Sequence, residues 1–246
     1  MLEGVDALCA HDPDLGTVVR RFGPPPLWAR RPGFATLVQI VLEQQVSLAS
    51  ALATYGRLRD TWGDITAERF ATLTAAQVQS AGVTRQKAGY CLGIAQQIVD
   101  GSLDLRRLGR ADDEEAHARL VKIRGVGPWT ADIYLLMALL RPDVWPDGDI
   151  ALITAAHQIK RLRRRPDTQR LRRLAASWAP WRSVAARILW HHYLSTKGRR
   201  GFSQSPATRG LESLNEPLTQ LSWSRNLARE RSTELLEGPH QCHARR

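Results

Sequence analysis

The stretch Leu120-Val-Lys-Ile-Arg-Gly-Val-Gly-Pro-Trp-Thr-Ala131 constrains this chain more than any other part of it. Just before it, Asp112, Asp113, Glu114 and Glu115 read as the first turn of a helix, where the helix dipole favours acids. Just after the glycines, Pro128 suits the first position of a second helix, since its missing N–H would be unpaired there. Residues 129–140 continue as an apolar helix until Arg141-Pro142-Asp143 ends it. Between the helices, Gly125 and Gly127 permit a tight backbone reversal. Such a helix–hairpin–helix aims backbone N–H groups at one spot, where a phosphate can bind without a side-chain charge. A bare Gly-x-Gly also joins ordinary helices, so the hairpin needs support from elsewhere in the chain.

The remaining patterning is helical. Residues 1–32, ending in Pro24-Pro25-Pro26 and Arg31-Pro32, read as an irregular segment packed on the core. Leu37, Ile40, Val41, Leu48, Ala51, Leu52 and Tyr55 recur at helical spacing and predict one long helix over 34–61. Thr66, Thr74 and Thr84 each precede helix formers and read as N-caps. A loop over 144–148 leads into a helix from Asp149, and two more fit 167–178 and 182–195. No stretch alternates with period two. The fold class is all-α, with a core over 33–197 and its hairpin at 123–128. Residues 198–246, with weak periodicity and at most one helix near 212–236, read as a disordered or loosely attached tail.

Charge names a class of partner. The chain of 246 residues carries 35 Lys plus Arg against 24 Asp plus Glu, a net +11. Ten of the basic residues fall between Lys160 and Arg187, where Asp167 is the one acid. A polyanion, most simply nucleic acid, is the physical reading of such a cluster; a solvated basic helix face is the plainer one. A membrane span is excluded, because the longest apolar run, 131–140, contains Asp132 and is too short. The amino terminus shows no signal-peptide pattern. Three scattered cysteines, Cys9, Cys91 and Cys242, predict no disulfide framework and a reducing compartment, hence a cytoplasmic protein, nucleoid-associated if bacterial.

Four segments then combine in order: Glu43-Gln44-Gln45-Val46-Ser47, the hairpin 123–131, the loop Asp143-Val-Trp-Pro-Asp-Gly-Asp149, and residues 178–190 from Trp178 to Trp190. Together they resemble the helix–hairpin–helix (HhH-GPD) DNA glycosylase superfamily, of the 3-methyladenine DNA glycosylase II type, over about residues 5–197. The resemblance implies two helical subdomains flanking a cleft. It implies a monofunctional enzyme that hydrolyses the N-glycosidic bond of flipped alkylated purines, 3-methyladenine and 7-methylguanine, in double-stranded DNA. The amino-terminal β domain of longer members has no counterpart in the 30 or so residues before the first motif.

The residues are consistent with that chemistry. Glycosidic cleavage passes through an oxocarbenium-like sugar, which a nearby carboxylate stabilises. Asp149 matches the family's aspartate, with Asp147 as its rival. A flipped cationic base suits aromatic walls; Trp129 and Trp190 match pocket positions, and Tyr134 and Trp145 are further candidates. Gln45 matches the wedge that fills the emptied stack. Gln44, Ser47, Arg124, Gly125, Val126, Gly127, Thr130 and Arg182 complete the expected DNA contacts. Glu43 replaces a small residue and would set an unfavourable carboxylate toward DNA. Bifunctional members carry a Schiff-base lysine where this chain has Trp129, so no lyase step is expected. One cysteine beyond Trp190 cannot hold an iron–sulfur cluster, and His240-Gln-Cys-His243 reads as chance. No metal or cofactor is required, although the resemblance suggests a monovalent cation on the hairpin carbonyls. A monomer is expected. A glycosylase for hypoxanthine, ethenoadenine or uracil, or a non-catalytic hairpin protein that only binds DNA, remain the alternatives.

Overall fold

Two helices are buried on nearly every side and centre one of two packing neighbourhoods. Helix α3 (Phe34–Glu43) buries Leu37, Val38, Ile40 and Val41 completely, and α10 (Pro128–Met137) does the same with Ala131, Tyr134 and Leu136. A helix without a polar face belongs at the centre of a fold. In the computed structural model, which describes residues 1–197, α3 packs against α4 (Leu48–Trp62), α7 (Arg85–Val99) and α10. The short α5 (Ala67–Ala71) and α6 (Ala75–Ser80) lie on α7, α8 (Leu105–Leu108) follows, and α9 (Asp113–Val121) packs on α10. A second neighbourhood gathers on α13 (Arg182–Lys197): α1 (Leu2–His11), α2 (Pro13–Phe22), α11 (Ile150–Ile159) and α12 (Thr168–Ala176). Among the described residues there is no strand, and no helix is long and apolar enough to cross a membrane. The tail over 198–246, with Cys242 and its neighbouring histidines, lies outside the described residues.

Short polar side chains set the helix starts. Thr66, Thr74 and Thr84 each accept the backbone N–H three residues on, and Thr74 forms a full capping box with Gln77. Asp112, Asp149 and Asp167 cap α9, α11 and α12 in the same way.

Two expectations are corrected. Residues 1–32 are not irregular throughout: Asp12-Pro13 is a cap followed by a proline at the start of α2, and Val5, Leu8, Leu15 and Val18 are core. Asp12 is also the tie between this segment and the far end of the chain. Burial pushes its carboxyl up, but hydrogen bonds from Lys160, Trp178 and the Leu15 N–H outweigh that and hold it below its ordinary value. The helix predicted over 34–61 is broken between Gln44 and Ser47. Gln45 takes a left-handed φ of 56°, and Ser47 caps α4 through a bond from the Ser50 N–H. Apolar spacing runs on through the break and hides it.

Candidate active site and nucleic-acid interface

Asp149 is where three separate elements meet. As N-cap of α11 it accepts the Leu152 N–H on Oδ1 at 2.9 Å. The indole of Trp129, from the first turn of α10, donates to Oδ2 at 3.1 Å, and that of Trp190, from α13, donates to Oδ1 at 3.3 Å. The carboxylate is half-buried, as is Trp129, whereas Trp190 is 8% exposed. The structure thus brings together Asp149, Trp129 and Trp190, three of the residues singled out for catalysis and the base pocket, with both indoles holding the carboxylate.

Tyr134 is corrected from a pocket candidate to core, while Trp145, the other further candidate, is as buried as Trp190. Tyr134 is fully buried, its hydroxyl accepts the Gly33 N–H at 3.0 Å, and burial pushes its pKa up to about 12. Trp145 is 7% exposed and packs its ring on Trp178 with centroids 5.6 Å apart. An aromatic residue on an apolar helix has the same sequence signature in either role.

Asp147, the rival of Asp149, is engaged elsewhere. Arg172 Nε donates to its Oδ2 at 2.7 Å. It also faces Asp132, a carboxyl inside α10 that burial pushes up to about 7, with repulsion from Asp147 adding to the effect. The Asp147 backbone N–H and the charges of Arg172 and Arg182 pull the other way, and His117 Nε2 lies 3.4 Å from Asp132 Oδ1. Between the ordinary carboxyl value and about 7, the folded chain holds a proton here that the unfolded chain releases. Stability from this group is therefore lost as pH rises through that window and stays low above it. Relative to wild type, Asp132→Asn is expected to gain on the order of 2 kcal/mol between pH 5 and pH 8. Denaturant melts at the two pH values measure this; equal differences at both would contradict it.

The hairpin is built asymmetrically. Gly125 has φ 92°, and a Cβ there would meet Tyr90 Cγ of α7 at 2.2 Å. Gly127 needs no left-handed backbone: it sits at φ −84° as N-cap of α10, and a Cβ would meet nothing within 4 Å. The expectation that both glycines make the reversal is thus half right. Gly127 provides no side-chain cap, so the first N–H groups of α10 are open to an outside acceptor. Val126 is buried and anchors the turn, while Arg124 is exposed.

The expected DNA contacts fall into two sets. Gln45, Ser47, Arg124 and Gly127 are exposed. Gln44 is a brace instead: its Nε2 donates to the Gly125 carbonyl and to Thr130 Oγ1, both at 2.9 Å, and Thr130 is 2% exposed. Arg182 is held by Asp143 through Nε and Nη2, at 2.9 and 2.8 Å. The Glu43 carboxylate does not present itself to an outside anion. It turns back to Arg30, which donates two bonds of 3.1 and 2.9 Å.

Lys87 is a part the sequence reading missed. Its ammonium donates to the carbonyls of Leu42 and Gln44, each at 2.8 Å, and so fastens the loop that presents Gln45. Burial lowers its pKa. Tyr90, one turn along α7, underlies Gly125, so one helix supports both the Gln45 loop and the hairpin. A mid-helix lysine gives no sequence signal for carbonyls 43 and 45 positions away. Lys87→Met is expected to cost about 2 kcal/mol in urea denaturation, as charged hydrogen bonds of this kind do; an unchanged midpoint would show that the loop holds without it.

Comparison with known proteins places the chain in a family. Residues 38–180 match the model of the HhH-GPD superfamily base excision DNA repair proteins. A DNA-3-methyladenine glycosylase of Bacillus subtilis is 30% identical over 169 residues, covering 64% of this chain and 56% of that protein. The chain thus spans about half the length of that curated relative. The crystal structure of a DNA-3-methyladenine glycosidase from Bacillus halodurans superposes with TM-score 0.65 at 27% identity, covering 79% of this chain and 90% of that one. The Schizosaccharomyces pombe 3-methyladenine DNA glycosylase Mag1 in complex with abasic DNA shares the fold, with TM-score 0.67 at 23% identity over 76% of this chain and 91% of that one.

Proposed function

Because the chain belongs to the HhH-GPD superfamily of base excision DNA repair proteins, we propose that it is a monofunctional DNA glycosylase for alkylated purines, acting as a monomer on double-stranded DNA. The observation that carries this reading is the Asp149 carboxylate gripped by two indoles and a helix N-terminus. Phosphate binding alone needs neither the carboxylate nor the tryptophans, which argues against a protein that only binds DNA.

In this reading the α10 N-terminus and Arg124 hold a backbone phosphate, and Gln45 enters the stack as the base leaves it. A left-handed non-glycine residue at the tip of an exposed loop is a strained conformation of the kind kept at working sites. The base, positively charged when alkylated at N3 or N7, lies against the indoles. As its glycosidic bond breaks, the electron pair moves to the base and discharges it, and positive charge develops on the sugar. Asp149 stabilises that charge and orients water, whose oxygen bonds to the anomeric carbon while its proton leaves through the carboxylate. An abasic site and a neutral free base result.

No lyase step is included, because Trp129 stands where bifunctional members carry their Schiff-base lysine, and an indole cannot form that bond; Lys87 and Lys160 are engaged elsewhere, on the carbonyls of Leu42 and Gln44 and on Asp12 and Asp14. A monovalent cation would find oxygens at the Ile123 and Gly125 carbonyls. Each already accepts one hydrogen bond, from Val126 N–H and Gln44, and keeps a second lone pair. Such an ion would steady the hairpin without entering the chemistry.

The test is release of free base from methylated duplex DNA without alkali. Free 3-methyladenine with no strand cleavage and no borohydride-trapped complex is expected. Release of a different base would move the substrate class. Salt-sensitive binding with no release from any lesion would leave a DNA-binding protein.

A further inference from the structure

We infer that the exposed arginines following α11 form a second binding surface for duplex DNA phosphates, distinct from the hairpin. This rests on the reading of the chain as a DNA glycosylase. The structure divides the basic cluster of residues 160–187 in two. Lys160, Arg172 and Arg182 are consumed by Asp12 and Asp14, by Asp147 and by Asp143. Arg187 is 3% exposed, with its guanidinium on the carbonyls of Leu27, Ser183 and Leu136. Arg161, Arg163, Arg164, Arg165, Arg170 and Arg173 remain, all exposed, and none is in an ion pair among the described residues. The nearby Asp167, the one acid among them, is in no ion pair with these arginines among the described residues; its carboxylate accepts the Arg170 backbone N–H as the cap of α12.

The position of this group is what gives it a role. Arg161 has a left-handed φ of 48°, which ends α11 and turns the chain. Arg165 then donates to Thr154 Oγ1 at 3.2 Å, so the loop returns along α11 toward its start. Thr154 is five residues beyond Asp149, about 8 Å along a helix axis. On the other side of the loop, α12 is tied to the Asp149 loop by the Arg172–Asp147 pair. Unpaired guanidinium groups therefore begin within one arginine's reach of the candidate active site. A duplex seated there carries a phosphate charge every ~1.7 Å of its axis. The surface is all arginine, which suits bidentate phosphate contacts. Of the large exposed apolar side chains of the described residues, Ile150 alone adjoins the patch, one turn before Thr154 on α11; the patch itself presents charge, which suits a phosphate backbone.

The test is binding of an undamaged duplex across a range of salt concentrations. It compares wild type, the triple variant Arg161→Gln/Arg163→Gln/Arg164→Gln, the pair Arg170→Gln/Arg173→Gln, and Arg124→Gln in the hairpin. Thermal melts confirm that the variants fold, which their exposed and unpaired side chains favour. The triple variant is expected to bind at least about tenfold more weakly near 0.1 M salt, with the salt slope smaller by two or so; the α12 pair should shift both in the same direction. Weaker binding by Arg124→Gln with both arginine variants like wild type would overturn this surface while leaving the glycosylase reading intact. Absence of salt-sensitive binding by the wild type would overturn both.

Discussion

Asp149→Asn is expected to lower base release by about 10²–10⁴-fold while leaving the fold and duplex binding in place. The conservative variant suits the test because Asp149 has two tasks. Asparagine is as good an N-cap as aspartate, so its amide oxygen can still take the Leu152 N–H, which is 2.9 Å from Oδ1 in the wild type. What it lacks is the charge opposite the developing oxocarbenium, and a second acceptor for the two indoles. Asp149→Ala would mix the effects, adding about 1 kcal/mol of lost capping. The loss should be smallest for a cationic base, which is already a good leaving group, and larger for a neutral lesion such as hypoxanthine. Single-turnover release from both substrates, with binding measured alongside, gives the comparison. Equal activity of Asp149→Asn and wild type would move the catalytic role away from this carboxylate.

Local sequence makes the cap role of Asp149 legible, whereas its place as candidate catalytic carboxylate comes from the family resemblance. Its cap role, like those of Thr74 and Asp112, depends on residues within three positions. Central helices such as α10 are legible from a long apolar run, Asp132 apart. Contacts between distant residues are not. Trp129 and Trp190 could be matched by resemblance, but nothing in their neighbourhoods says that both indoles point at one carboxylate. Tyr134 shows the opposite failure: on an apolar helix a core aromatic and a pocket aromatic look alike, and only the Gly33 N–H decides. The local sequence leaves the Glu43 charge unaccounted for, because its partner Arg30 lies thirteen residues earlier, beyond Pro32 and the length of α3. The break at Gln45 was hidden because two consecutive helices continue one apolar rhythm across it.

The hairpin glycines allow a sharper separation of fold from function. Gly125→Ala forces a Cβ to 2.2 Å from Tyr90 Cγ at a φ of 92°, so either the turn or α7 must move. Strain and overpacking together are expected to cost about 3 kcal/mol. The displaced Gly125 carbonyl would also lose Gln44, and with it a brace of the Gln45 loop. Tyr90→Ala in the same chain should restore part of the loss, a coupling that a double-mutant cycle in urea would read. Gly127→Ala makes the contrast. Its backbone is ordinary and nothing among the described residues lies within 4 Å of the added methyl, so the melting temperature should barely change. In the proposed function a backbone phosphate approaches the uncapped start of α10 through this open space. Gly127→Ala is therefore expected to weaken duplex binding several-fold in a protein of wild-type stability. If instead it binds like wild type, the phosphate does not sit on the first turn of α10, and the hairpin is reduced to a structural turn.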